Sequence, residues 1–319
     1  MTSSIADLAA YYSRILLITY SPIMPILLIM GIVGAILSGI IFSHRSMRQN
    51  PGSIYFIALS VTISMMMVLD GLPLSLQFIT NIPFSKLSPS YCKLINYLTN
   101  LCPVLHRYCL VLAAIDRTLI TSSNATVRKR STHRLAYWTI SGMTLIAIIY
   151  HIHILVGENL YVLSSGTIAC APSIGTYSYF FAYSNLVVNN LIPLSLLTIL
   201  AIKTLRNLQR VRIQPINTDP IVSNTHRSKD RQLTILLLAD IVILVFLQSF
   251  VTSLTMYTNI TRNQVKSSSQ QLFESFLTNT TPFVVCTPPA ISFYQNLLIS
   301  KSFRRKAKEV LFGRFCQHQ

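Results

Sequence analysis

The residues best suited to chemistry in this chain are charged side chains that interrupt long apolar segments. Asp116 and Arg117 are adjacent at the end of one segment, Arg107 lies ten residues earlier, and Asp70 and Asp240 lie in two other segments. An unpaired charge inside lipid is costly, so each group needs a partner and is a functional candidate. We hypothesise that Arg107 pairs with Asp240. The alternative is that Arg107 bonds backbone carbonyls or water and that Asp240 is protonated.

Two cysteines, Cys92 and Cys170, are placed to form a disulfide. Cys92 precedes Asp116 by 24 residues, which in a helix spans about 36 Å, so the cysteine and the acid would lie at opposite faces of a bilayer. Cys170 falls in the next loop on the side of Cys92, where an oxidising compartment allows disulfides. The bridge would close a loop of 78 residues and add roughly 4 kcal/mol of stability in the chain-entropy model. The alternative is two free, buried cysteines.

No pattern of residue types in the sequence indicates catalysis. The histidines are scattered, and we find no metal-ligand spacing, nucleophile elbow or phosphate-binding loop. We therefore predict that the protein is not an enzyme and that it uses no metal and no cofactor.

Seven long apolar segments must position these residues. Apolar residues make up 51% of the chain and charged residues 11%, against roughly 25% charged residues in soluble domains. About 20 apolar residues cross a bilayer core, and only helices satisfy their backbone polar groups there. We predict a single all-α membrane domain over residues 1–319, a seven-transmembrane helix bundle with a short amphipathic C-terminal helix. The predicted helices cover residues 15–43, 52–79, 90–121, 134–156, 179–205, 231–258 and 274–299, with an interfacial helix at 302–312.

The distribution of Lys and Arg predicts the orientation of the chain. Of 26 such residues, 20 fall in the segments placed inside, 5 fall in those placed outside, and one lies within a helix. Such a bias sets membrane topology, so we predict an extracellular N-terminus and a cytoplasmic C-terminus in the plasma membrane. The net charge of +17 also attracts anionic lipids of the inner leaflet. We find no folded basic surface for nucleic acid and predict no such partner.

From about Ile15 to Arg314 the chain resembles the rhodopsin-like (class A) G-protein-coupled receptors. The resemblance implies that Asp116 restrains Arg117 at rest and that Arg117 meets the C-terminal helix of a heterotrimeric G protein when helix six swings outward. The alternative is a charge pair that only orients helix three at the membrane face. The positions that carry the resemblance are Cys92, Cys170, Asp116, Arg117, Trp138, Pro193 and the run Phe303, Arg304 and Arg305.

Several positions depart from the family pattern. Thr118 replaces the tyrosine that usually follows the arginine, Ile63 replaces the acid of helix two, and helix six has no proline near Ser249. Helix seven reads Thr287 to Tyr294 in place of the asparagine-proline-x-x-tyrosine motif. We take as candidates for helix packing or switching the residues Arg107, Asp240, Pro193, Trp138, Ser249, Pro289 and Tyr294.

Two positions restrict the ligand that the resemblance implies. Thr99 replaces the aspartate by which amine receptors bind an ammonium group, and Thr287 stands where visual pigments hold their retinal lysine. We therefore expect neither an amine nor retinal. A peptide, a lipid, a small chemosensory molecule or no ligand at all remain, with Thr99, Asp70 and Thr287 as pocket candidates. The expected function is that of a receptor coupled to a G protein. The alternatives are a receptor-like protein that no longer signals, and a small transporter or channel subunit.

Overall fold

Long helices make up most of the structure, a computed structural model that describes residues 2–80, 82, 88–162, 168–213 and 220–312. In chain order the helices are α1 (2–43), α2 (Gly52–Thr80), α3 (Pro89–Ile120), α4 (His133–Gly157), α5 (176–213), α6 (Pro220–Ile260), α7 (Ser268–Ile299) and the short α8 (Lys301–Phe312). One-turn helices lie at Arg45–Arg48 and Ala125–Arg128. Between α4 and α5, β1 (Glu158–Val162) pairs antiparallel with β2 (Ile168–Pro172). The predicted all-α seven-helix bundle with a C-terminal helix is confirmed.

Six of the described helices, α1 to α6, are long and apolar enough to cross a membrane. The hydropathy of α7 is lowered by polar residues such as Asn279, Gln295 and Asn296. Its 32 residues nevertheless give it a length of about 48 Å, more than a bilayer core requires. Because α7 packs along both α1 and α6, it crosses together with them.

α3 is the central helix of the bundle, in contact with α2, α4, α5 and α6. We call the end of the bundle that holds Cys92 the outer end and the end that holds Arg117 the inner end. At the inner end α8 is anchored by Phe303, which is fully buried against Phe42 of α1 and Phe293 of α7. The exposed Arg305 and Lys308 lie on the opposite, polar face of α8, so the helix is amphipathic. The partly buried Lys306 pairs with the exposed Glu309.

Some helix ends differ from the prediction. α1 begins at Thr2 and α6 at Pro220, each more than ten residues before its predicted start. The prediction followed runs without charge, which mark the part of a helix that lies in lipid. A helix can continue into water, where charged side chains cost little, so the charge-free run understates its length. The β1–β2 hairpin was not predicted.

Three of the described helices contain π-helical segments, at Thr19–Ile23 in α1, Met67–Gly71 in α2 and Asn185–Leu191 in α5. Each is associated with a proline: Pro22 lies within the first, and the other two end two residues before a proline. Proline has no N–H to donate, so the helix shifts its register there and leaves carbonyl groups available to other partners.

Candidate functional site: the two ends of helix α3

At the outer end a disulfide joins Cys92 of α3 to Cys170 of β2. The two Cα atoms are 5.9 Å apart, an ordinary separation for a disulfide. Cys92 lies in the first turn of α3, where the side chain of Ser88 accepts a hydrogen bond from the amide of Tyr91 and caps the helix. The predicted bridge is confirmed, and it holds the β1–β2 hairpin at the end of α3.

Glu158 is a buried acid beside this disulfide, only 2% exposed at the start of β1. Asn96 of α3 donates to its carboxylate at 3.2 Å and to Sγ of Cys170 at 2.9 Å. Burial raises the pKa of Glu158 to about 7, an effect that outweighs the lowering by the hydrogen bond from Asn96. The carboxyl group of Glu158 therefore changes from its protonated to its ionised form near neutral pH.

Arg107 is buried in the middle of α3 and bonds the backbone of α5. Its Nη1 donates to the carbonyl of Asn189 at 2.6 Å, and the hydroxyl of Tyr108 donates to the carbonyl of Val188 at 2.9 Å. Both carbonyls are available because of Pro193, which lacks the N–H that would bond Asn189 in α-helical register and Val188 in π-helical register. The helix-five proline thus creates two acceptors, and α3 supplies their donors.

The hypothesised ion pair between Arg107 and Asp240 is wrong. Asp240 of α6 faces Ser292 of α7, whereas Arg107 faces α5. Arg117 of α3 and Asp230 of α6 face each other at the inner end. Arg107 lies ten residues from Arg117 along α3, and Asp240 lies ten residues from Asp230 along α6, both toward the outer end. Ten residues turn a helix by about 1000°, roughly 80° short of three turns, so side chains ten residues above a facing pair point away from each other. The hypothesis considered depth in the membrane and not direction around the helix.

Asp240 borders a small cavity lined by residues of α1, α2, α3, α6 and α7. The cavity has a volume of about 30 Å³, room for about two water molecules. One carboxylate oxygen of Asp240 has no hydrogen-bond partner among the residues that the structure describes. The polar side chains of the cavity wall are Ser38, Ser60, His106, Asp240, Ser292 and Asn296.

A chain of amide side chains connects α3, α5 and α6 nearer the outer end. Asn185 donates to Asn100 of α3 at 3.5 Å, and Asn190 donates to Asn185 at 3.2 Å. Gln248 of α6 donates to the amide oxygen of Asn190 at 2.6 Å. Gln248 lies in the stretch of α6 that lacks the expected proline, so here hydrogen bonds tie the helix to its neighbours. Sequence reasoning missed these contacts, for which the repeated asparagines in α5 were the available signal.

At the inner end Arg117 is 1% exposed. Its Nη2 and Nε donate to one oxygen of Asp116 at 2.5 and 3.1 Å, and its Nη1 lies 3.8 Å from a carboxylate oxygen of Asp230 in α6. The hydroxyl of Ser131, in the loop between α3 and α4, donates to the other oxygen of Asp116 at 2.5 Å. The guanidinium is therefore shared between an acid of its own helix and an acid of α6.

Asn50, just before α2, completes this group. Its Oδ1 accepts hydrogen bonds from the amide of Gly52 at 2.9 Å and from Nη2 of Arg117 at 3.3 Å, and its Nδ2 donates to Asp230. Sequence reasoning missed Asn50, Gly52 and Asp230. The signals available were the Asn-Pro-Gly sequence, which is typical of a turn before a helix, and an acid at the inner side of an apolar helix.

Thr118 connects α3 to α5. Its hydroxyl donates to the carbonyl of Ala114 at 2.8 Å and lies 2.9 Å from the hydroxyl of Thr204. Asn207, one turn further along α5, donates to the carbonyl of Thr118 at 3.4 Å. The residue that replaces the usual tyrosine thus contributes to helix packing at the inner end.

The other packing candidates have different surroundings. Pro289 is buried at the cavity, and the hydroxyl of Tyr294 donates to the carbonyl of Met30 on α1 at 3.3 Å. By contrast Trp138 is 69% exposed on the outside of α4. Ser249 is exposed and donates to a carbonyl of its own helix. The structure therefore does not support the packing role predicted for Trp138 and Ser249, because both side chains face away from the bundle.

The three ligand-pocket candidates make separate contacts. Thr99 and Thr287 each donate to a carbonyl of their own helix, at 3.2 and 2.8 Å. Asp70 is buried in the π-helical segment of α2 and is attracted electrostatically to Arg107. A ligand pocket built on these residues stays a prediction.

Comparison with known proteins identifies the family. The sequence pattern of the seven-transmembrane receptors (rhodopsin family) matches residues 35–291, which is most of the chain. The protein therefore belongs to the rhodopsin family of seven-transmembrane receptors, as its resemblance predicted. Members of this family are multi-pass membrane receptors rather than enzymes, and in general they interact with ligands and G proteins. No curated protein matches the sequence.

Proposed function

We propose that this protein is a cell-surface receptor that transmits the binding of an extracellular ligand to a heterotrimeric G protein. The observation that carries the proposal is the position of Arg117, buried at the inner end of α3 between Asp116 of the same helix and Asp230 of α6. The contact of Arg117 with Asp230 is longer and more exposed than its contact with Asp116. α6 can therefore move away from α3 while Arg117 stays bonded to Asp116.

In this proposal the observed arrangement is the inactive state. A ligand that binds better to a bundle with α6 moved outward shifts the population toward that state. The outward movement separates Asp230 from Arg117 and opens a space beside the guanidinium. The C-terminal helix of the G protein then occupies that space and contacts Arg117. A coupling of 1 to 3 kcal/mol, typical of such transitions, corresponds to about a 5- to 150-fold change in the affinity for one partner when the other is bound.

The proposal includes the location and orientation predicted from the sequence, in the plasma membrane with the N-terminus outside. The disulfide supports this orientation, because the compartment around Cys92 and Cys170 must be oxidising. For the ligand we propose a peptide or a small chemosensory molecule that enters from the outer end.

The test uses basal signalling and needs no ligand. The receptor is expressed with a promiscuous G protein α-subunit, and second-messenger output is measured at matched surface levels. We expect Asp230→Ala to raise basal output about five- to tenfold, since it removes a partly exposed contact that holds α6 and that we take to have the net strength of a typical hydrogen bond. Adding Arg117→Ala to that variant should return the output to that of cells without the receptor.

The outcome separates the proposal from its main rival, a receptor-like protein that no longer signals. The missing helix-six proline and the altered helix-seven motif favour that rival. If the Asp230→Ala variant reaches the surface and no G protein responds to it, coupling is lost and the rival is correct. Membership in a receptor family argues against the other alternative, a transporter or channel subunit.

A further inference from the structure

The side chain of Asn50 connects three helices at the inner end. It accepts a hydrogen bond from the amide of Gly52 at the start of α2, accepts another from Arg117 of α3, and donates to Asp230 of α6. The 3.8 Å contact between Arg117 and Asp230 is therefore reinforced by a neutral amide that bonds both charged groups at once. Hydrogen bonds to charged groups are stronger than those between neutral groups.

Gly52 provides the space in which the guanidinium lies. A Cβ atom at this position would be 2.5 Å from Cζ of Arg117 and closer still to Nη2. Gly52 is buried in the first turn of α2 with ordinary helical geometry, so its backbone does not itself require glycine. The need for glycine comes from the close approach of Arg117, since glycine is otherwise unfavourable in a helix.

We infer that Asn50 and Gly52 form a seat for the guanidinium of Arg117, and that this seat keeps α6 against α3. The inference rests on the proposed function and adds to it a restraint that comes from α2. Neither residue touches the G protein in this scheme, so both are positioning residues. They hold Arg117 where it contacts Asp230, and the loss of either should release α6.

The substitution Gly52→Ala tests the seat with a single methyl group. The atoms in the way belong to the end of a flexible side chain, so the guanidinium moves and the backbone of α2 can stay in place. Alanine also favours the helix. The matched control is Gly142→Ala in α4, where an added Cβ meets nothing within 4 Å.

A second variant, Asn50→Ser, distinguishes two roles of Asn50: its bond to the amide of Gly52 at the start of α2, and its bonds to Arg117 and Asp230. Serine can still accept a hydrogen bond at the start of α2, but it is too short to bond Arg117 and Asp230 together. Asn50→Ser should therefore act in the same direction as Gly52→Ala.

Two readouts are needed. The first is the distance between spin labels on Arg134→Cys of α4 and Arg231→Cys of α6, both at exposed positions, measured in the purified receptor. Among the described residues, the native Cys102, Cys109 and Cys286 are buried and remain unlabelled. Cys316, which lies outside the described residues, is replaced by serine in every labelled variant. The second is basal G-protein output at matched surface expression.

We expect Gly52→Ala and Asn50→Ser to add a population with longer distances and to raise basal output about five- to tenfold, the change that the loss of one hydrogen bond of typical net strength produces. Gly142→Ala should match the unmodified receptor in both readouts. An unchanged distance distribution in Gly52→Ala would overturn the seat. Longer distances without any G-protein response would leave the seat in place and overturn the proposed function instead.

Discussion

Glu158 shows how one residue can make the outer end of the bundle sensitive to pH. The disulfide and β1 place its carboxyl group where water has little access, and Asn96 supplies a single hydrogen bond. The folded protein therefore binds the proton of Glu158 more tightly than the unfolded chain does. Because the pKa is raised, this group stabilises the fold at low pH, and that contribution is lost as the pH rises from about 4.5 to about 7.

We predict that Glu158→Gln changes this pH dependence. Glutamine stays neutral, so relative to the unmodified protein the variant should gain thermal stability as the buffer is changed from about pH 5 to about pH 8. The measurement is the unfolding temperature of the purified receptor in detergent. Glu309→Gln is the control, because the hydrogen bond from Lys306 lowers the pKa of Glu309 and moves its titration below this range. A constant difference between Glu158→Gln and the unmodified protein across the range would contradict the prediction.

At the scale of helices, α5 is held to α3 through its π-helical segment. Pro193 leaves two carbonyls without a backbone donor, and Tyr108 and Arg107 of α3 donate to them. Asn190 in the same segment accepts the hydrogen bond of Gln248 from α6. A shift of this segment would therefore displace groups that α3 and α6 contact, so the segment couples the three helices at this level of the bundle.

We predict that Tyr108→Phe weakens this connection. The substitution removes only the hydroxyl group and leaves the carbonyl of Val188 without its donor, at a cost of about 1 kcal/mol in the free energy of unfolding. The control is Tyr137→Phe, since Tyr137 is 51% exposed on the outside of α4. Thermal unfolding in detergent should show a lower midpoint for the first variant and no change for the second. Equal midpoints would mean that the hydroxyl of Tyr108 contributes nothing to stability.

The membrane-spanning helices were predictable from the sequence, because their apolar composition follows from contact with lipid. The contacts between particular side chains were less predictable, because they depend on how the helices pack. The long apolar segments predicted the helix bundle. The 24 residues between Cys92 and Asp116 placed Cys92 on the same side of the membrane as Cys170, and this predicted the disulfide. The partner of Arg107 depends on a carbonyl freed by Pro193, which no pattern of charges indicates. The roles of Asn50 and Gly52 depend on how closely the start of α2 approaches Arg117 of α3, and no local pattern of residues indicates a contact between segments so far apart in the chain.

In the whole molecule α3 is fixed at both ends. Its outer end is covalently joined to the β1–β2 hairpin through Cys92, and its inner end is held by the group around Arg117. These two points lie about 38 Å apart along the helix. The covalent bridge cannot open in an oxidising compartment, whereas the contact of Arg117 with Asp230 is non-covalent and partly exposed. Movement is therefore expected at the inner end, on the side of α6.

This arrangement works as a receptor only if the disulfide lies outside the cell and Arg117 inside. The 20 Lys and Arg residues of the inner segments, against 5 in the outer ones, predict that orientation. We expect an epitope tag before residue 1 to bind antibody on intact cells, and a tag after residue 319 to bind only after permeabilisation. A tagged cytosolic protein in the same cells serves as the control for membrane integrity. Antibody binding to the C-terminal tag on intact cells would mean that Arg117 faces away from any G protein.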